Sequence, residues 1–197
     1  MSTARADILA AIRAAIGPVP VPGEVDRSYR GPWAHAPDVD LFCDRVQEYA
    51  ARAHRTTRSG LDAKLHELCG ERTGVPAGFP FPGIEDELLD VQTLSSLDTV
   101  LTGCALAIAE TGTIVLDGGE RCGRRALTLV PDHHVCIVTT SEIVASVPDA
   151  IASLDPRRPL TFISGPSATS DIELTRVEGV HGPRRLDVVV VDERADV

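Results

Sequence analysis

LDVVVVD, Leu186–Asp192, is the stretch that decides the fold. A near-continuous β-branched run shows no polar alternation, which is the pattern of a strand buried on both faces. PLTFIS (Pro159–Ser164) reads the same way. Within ALTLVPDHHVCIVTT (Ala126–Thr140) a further strand is expected over His134–Val138. CALAIA (Cys104–Ala109) and TIVLD (Thr113–Asp117) flank a central ETG and form a strand–turn–strand. A short polar strand is expected around His54–Thr57, whereas the prolines of VPAGFPF (Val75–Phe81) make it a poor one.

Strands buried on both faces need covering layers, and helical periodicity supplies them. VDLFCDRVQEYAARA (Val39–Ala53) places Leu41, Phe42, Val46, Tyr49 and Ala50 at three- and four-residue spacing. A second helix is expected over Gly60–Glu71, with Leu61, Leu65 and Leu68 in phase. SSLDTVLTG (Ser95–Gly103) carries a helix-capping pattern, Ser95 with Asp98 three later and a closing glycine. SEIVASVPDAIASL (Ser141–Leu154) reads as a helix capped by Thr140 or Ser141 and kinked at Pro148. The expected fold is therefore α/β, a mainly parallel sheet flanked by helices. Ahead of it, residues 1–38 form a helix (Ala4–Ile16, capped by Ser2 or Thr3) and a Pro/Gly-rich arm. The arm is available to dock on a neighbouring copy or on the core, Trp33 being the residue that hints at packing, with a mobile tail as the alternative.

Composition excludes some classes. The chain has 197 residues, 43% of them hydrophobic and 4% aromatic, so the core must be aliphatic. A net charge of −10 with no basic stripe argues against a nucleic-acid footprint. The short basic clusters RCGRR (Arg121–Arg125) and ARAHRTTR (Ala51–Arg58) leave room for a local anion site. No apolar run is long enough for a bilayer and no signal peptide is visible. Five cysteines are scattered without a CxxC, so no metal or cluster site is expected from them, and a reducing cytoplasm is the natural setting.

Three loops could carry chemistry. In AETGTI (Ala109–Ile114) Glu110 breaks an apolar stretch, and it reads either as a general base, nucleophile or hydroxyl-binding group or as a turn residue accepting backbone N–H groups. In SGPSATSDIE (Ser164–Glu173) the turn at Gly165-Pro166 precedes Ser167, Thr169 and Ser170, which could cap a short helix starting near Asp171 and make an anion site. Asp171 and Glu173 in that first turn weigh against a phosphate. In EGVHGP (Glu178–Pro183), His181 is placed to act as an acid/base or as a ligand-pairing donor, with a solvated turn histidine as the plainer reading. His133 and His134 are adjacent in a strand and point to opposite faces, so they are not read as a metal pair.

Taken in order, AETGTIVL (Ala109–Leu116), LTLVPDHHVCIV (Leu127–Val138), ISGPSATSDIE (Ile163–Glu173) and GVHGP (Gly179–Pro183) resemble the LUD domain of the lactate-utilisation protein C family. The resemblance runs from Ala105 to about Val191, and the amino-terminal half matches only in style. It implies a fold similar to the ribose-phosphate isomerase and CoA-transferase group. It also implies a part in L-lactate oxidation to pyruvate alongside iron–sulfur partner proteins. Carried over residue by residue, it marks Glu110, Thr111, Gly112 and Thr113, then Gly165, Pro166, Ser167, Thr169, Asp171 and Glu173, then Gly179, His181, Gly182 and Pro183. Glu110 and His181 are the catalytic candidates; Thr111, Gly112, Thr113, Gly165, Ser167, Thr169, Asp171 and Gly182 are the candidate substrate-binding residues. The chain has neither cluster-binding cysteine spacing nor a dinucleotide fingerprint. Redox cofactors are therefore expected on the partners, with this chain an accessory or substrate-handling subunit. A stand-alone enzyme or binding module for a small phosphorylated, CoA-linked or carboxylate metabolite is the alternative.

Overall fold

The computed structural model describes residues 3–17, 23–24, 26, 28, 31, 36–169, 177–179 and 181–193. Ser2 and Trp33 lie outside them, as do Asp171, Glu173 and the short helix expected from Asp171. The chain divides into two units, Met1–Arg30 and Gly31–Val197. In the first, α1 (Thr3–Ile16) is an apolar-striped helix with Ile8, Ile12 and Ile16 exposed.

In the second unit the elements run α2 (Val39–Glu48), β1 (Arg52–Thr57), α3 (Leu61–Leu68), β2 (Thr73–Pro76), β3 (Ile84–Asp86), α4 (Val91–Ser95) and β4 (Thr99–Thr102). There follow β5 (Leu106–Ile108), a 3-10 turn (Ala109–Thr111), β6 (Thr113–Leu116), β7 (His133–Thr139), a second 3-10 turn (Thr140–Glu142) and β8 (Ile143–Val144). The chain then makes α5 (Val147–Ser153), β9 (Thr161–Ile163), β10 (Ala168–Thr169), β11 (Val177–Glu178) and β12 (Arg185–Asp192).

Six strands form an all-parallel sheet in the order β1-β12-β7-β4-β2-β3. The valine run of β12 lies one strand in from the β1 edge, and consecutive valines serve opposite cores. Val189 and Val191 pack with Leu65 of α3, Leu101 and Val135. Val188 and Val190 pack with Phe42 and Val46 of α2, Cys136 and Val138. That second core also holds Ala107, Ile114 and Leu116 of a separate sheet, ordered β8-β5-β6-β9. One face of the main sheet is therefore covered by α3, the other by α2 and a second sheet, whose far side packs on Ala150 of α5.

Several local expectations change. SSLDTVLTG is not a helix: Asp90 caps the short α4 by accepting from Thr93 N–H at 2.7 Å, and Thr99–Thr102 is a buried central strand. The helix expected from Ser141 begins only at Val147, where Ser146 and Asp149 form a capping box. Pro148 sits in its first turn, where no N–H partner is lost, so it starts the helix instead of kinking it. VPAGFPF does contribute a strand, because Pro76 falls at the end of β2. TFIS is not buried on both faces; among the described residues β9 pairs only with β6, and Phe162 is 44% exposed. The link opening at Gly165 thus runs between two different sheets, and its described ends meet as the β10–β11 ribbon, where Thr169 pairs with Val177.

Candidate functional site

The two Gly-Pro loops lie together along one cleft of about 220 Å³. The loop after β9 contributes Ser164, Gly165, Pro166 and Ser167, and the loop before β12 contributes His181, Gly182 and Pro183. Ser167 laces them: its N–H donates to Pro183 O at 2.8 Å, its carbonyl accepts from Gly179 N–H at 2.9 Å, and its hydroxyl accepts from His181 N–H at 3.1 Å. Ser167 is therefore a clamp between the two loops. Gly165 has φ +88°, and a Cβ there would run into the backbone carbonyl of Tyr49, at the end of α2. That packing need explains the glycine without a ligand.

The floor comes from residues that sequence reading had not assigned. His134, at the start of β7, and Leu186, at the start of β12, close the cleft from the main sheet, and Arg125 and Thr128 come from the loop before β7. The cleft thus sits at the amino ends of β7 and β12, not outside their carboxyl ends as open α/β sheets suggest. His134 Nε2 and Thr102 Oγ1 lie 2.9 Å apart in a hydrogen bond. Burial, with His133 and Arg125 nearby, pushes its pKa down to about 3, so the ring is neutral at physiological pH. Burial also lowers the pKa of Arg125, whose Nη1 donates to Thr128 Oγ1 at 3.1 Å. Among the described residues Arg125 forms no ion pair, whereas its neighbours in RCGRR do: Arg121 with Glu142, and Arg124 with Asp86. Of the described residues lining the cleft, none is an Asp or Glu.

The AETGTI loop gives no residue to the described lining of this cleft and adjoins it through Ser164. Glu110 is half-buried, and its Oε2 lies 3.4 Å from Val147 N–H at the start of α5. Thr111, Thr113 and Ser164 form a hydroxyl chain with links of 2.7 Å, which ties the 3-10 turn to the end of β9. Gly112 has φ +59°, and a Cβ there would lie under 3.0 Å from the backbone of Arg45 and Val46 in α2. Thr169 is placed by its backbone alone, in the ribbon.

A second polar cluster lies on the opposite face at the same end of the sheet. Asp187, fully buried, accepts from His54 Nε2 at 2.6 Å, His133 Nε2 at 2.7 Å and Arg52 Nη2 at 2.6 Å, with Arg185 Nε at 3.3 Å. Burial acts to raise its pKa, but the hydrogen bonds from His133, His54 and Arg52 outweigh it and hold the carboxyl well below the usual carboxylate range. The signal was present in the sequence: an acid two residues into a strand buried on both faces needs cations, and Arg52 and His54 alternate on a polar strand. Among the described residues no group of His, Cys, Asp or Glu could hold a metal. The cysteines are free, with the Cys69 and Cys122 thiols pushed up by burial to about 11 and about 12. No helix among the described residues is long and apolar enough to cross a membrane.

A parallel sheet backed by a second sheet, with paired Gly-Pro loops closing a small cleft, defines an α/β protein. The LUD domain model matches residues 91–191, and the chain belongs to that family. It is 45% identical to "Lactate utilization protein C" of Deinococcus radiodurans, over 90% of this chain and 86% of that one. "Lactate utilization protein C 1" of Bacillus mycoides is 32% identical over 57% of this chain, which spans about half of that relative (51%). A crystal structure of a DUF162 family protein from Deinococcus radiodurans matches with a TM-score of 0.64 and 40% identity, covering 78% of this chain and 95% of that one.

Proposed function

We propose that this chain acts in lactate utilisation as a substrate-handling subunit, and that electron transfer belongs to iron–sulfur partner proteins. The observation that carries the reading is the 45% identity, nearly end to end, to a protein named for lactate utilization. The cleft supports the substrate-handling role, since it joins two of the four family-like motifs, ISGPSATSDIE and GVHGP, with a cation that has no acidic partner among the described residues. Ser167 and Gly182 shape its rim. His181 stands at the rim as its candidate acid or base, and Glu110, outside the cleft, is the candidate for chemistry on the far side of the AETGTI turn. A volume of about 220 Å³ falls below the roughly 300–1,000 Å³ usual for drug-sized ligands, which favours a short metabolite over a CoA-linked one.

Deleting the gene should abolish or sharply slow growth on L-lactate while leaving growth on glucose intact. Normal growth on L-lactate, in a strain with no other lactate-oxidising enzyme, would overturn the proposal.

A further inference from the structure

The cleft carries more chemical information than its family. The chain bears 29 acids against 19 lysines and arginines, yet the described lining holds one arginine, two histidines and no carboxylate. In the second unit most described arginines are neutralised: Arg45 by Glu48, Arg52 by Asp187, Arg55 by Asp40, Arg158 by Asp117 and Arg184 by Asp132. Among the described residues Arg125 has only the Thr128 hydroxyl, and it is partly desolvated. A guanidinium in that state is matched by a carboxylate, which can take two of its N–H groups at once.

The second observation is His134. Its ring is buried to within 1% and lines the cleft, and Nδ1 has no hydrogen-bond partner among the described residues once Nε2 is engaged by Thr102. A neutral imidazole has one N–H and one bare nitrogen, so by choice of tautomer Nδ1 can accept from a hydroxyl or donate to a carbonyl. The described lining has a single permanent cation and no lysine, which suits a monoanion better than a phosphate dianion.

We infer that the Arg125–His134 end of the cleft recognises a small 2-hydroxy or 2-oxo monocarboxylate, Arg125 taking the carboxylate and His134 the oxygen on the adjacent carbon. The inference rests on the proposed role in lactate utilisation and names the ligand class that this site would hold.

Titration calorimetry of the full chain with L-lactate, pyruvate, propionate and inorganic phosphate tests it. Lactate and pyruvate should bind, with propionate, which lacks the second oxygen, and phosphate each weaker by about tenfold or more. R125Q should weaken lactate and pyruvate about tenfold to a hundredfold, the worth of a charge-assisted hydrogen bond. H134N should remove the preference over propionate. R58Q, in the separate cavity lined by Leu61, Phe79 and Phe81, should change nothing. Thermal unfolding of each variant shows that it is folded, and R125K, which keeps the charge, should retain part of the affinity. Phosphate binding as tightly as pyruvate, no binding of either acid, or unchanged affinity in a folded R125Q protein would each overturn the inference. Any of these alongside a growth defect on lactate would leave the role in lactate utilisation standing. Normal growth with intact, Arg125-dependent binding would do the reverse.

Discussion

His133 and His134 are consecutive at the start of β7, and the pleat sends their rings to opposite faces of the six-stranded sheet. On one face His133 joins His54 and Arg52 in closing over the carboxylate of Asp187, with Thr99 Oγ1 3.2 Å from His133 Nδ1. On the other, His134 stands in the floor of an open cleft with one nitrogen bonded to Thr102. Both rings are buried, and they differ in what faces them. A histidine against a buried acid joins three strands, β1, β12 and β7, through one carboxylate. A histidine with no acid in contact is held neutral, and its second nitrogen stays available. Burial alone therefore does not separate a structural histidine from a binding one; the charge of the facing groups does.

The harshest way to break the comparison is Asp187→Ala. The variant leaves His54, His133, Arg52 and Arg185 gathered round an uncompensated gap at a fully buried position. Losing one partner of a buried ion pair costs about 3–5 kcal/mol, and chemical denaturation at pH 7 should register a loss of that order. The cleft face should feel it less, so residual ligand binding in whatever fraction stays folded tests whether the two faces are independent.

A smaller effect is expected at Gly165, on the cleft side. Gly165→Ala places a Cβ against the Tyr49 carbonyl at φ +88°, and a residue strained in this way costs about 1–3 kcal/mol. Because Ser167 two residues later clamps both loops, the variant should also loosen binding at the cleft while leaving the Asp187 cluster unchanged. Denaturation midpoints and ligand titration, read together, check both halves. Destabilisation with undisturbed binding would show that the loop is positioned from the β12 side alone.

How much of this was readable in the sequence follows from how local each feature is. The valines of β12 and the β5–β6 hairpin around Gly112 carry their signals within a few residues, and they fell where expected. The misreadings came from competing local signals. Ser95 and Asp98 mimic a cap, yet Thr99–Thr102 is drawn into the sheet by neighbours from β2 and β7 that no local window contains. TFIS has strand propensity, but the partner that leaves one side exposed is β6, forty-odd residues upstream. The motif glycines were legible as special and misleading as to reason, since Gly112 and Gly165 are both needed for contact with α2. Arg125 was visible only as part of a basic cluster. Which arginine in RCGRR has no acidic partner among the described residues depends on where Asp86 and Glu142 lie, and that is tertiary information.

The gentlest probe separates the two histidine faces by pH. Asp187 has a depressed pKa, so its contribution is fully present above the unfolded value of about 3.9 and is lost only as pH falls below it. His134 works in another window. Its folded pKa is about 3 against 6.5 for the free side chain, so between those values the unfolded chain binds a proton that the folded protein does not. Stability must then fall as pH drops from 6.5, by about 1.4 kcal/mol for each unit, and level off near the folded value. Denaturation curves at pH 7.0, 6.0 and 5.0 should show this slope, and His134→Gln, which cannot take up the proton, should flatten it by about one proton's worth. A slope that persists unchanged in the folded variant would mean that the ring is protonated inside the protein. Its neutrality would then be lost.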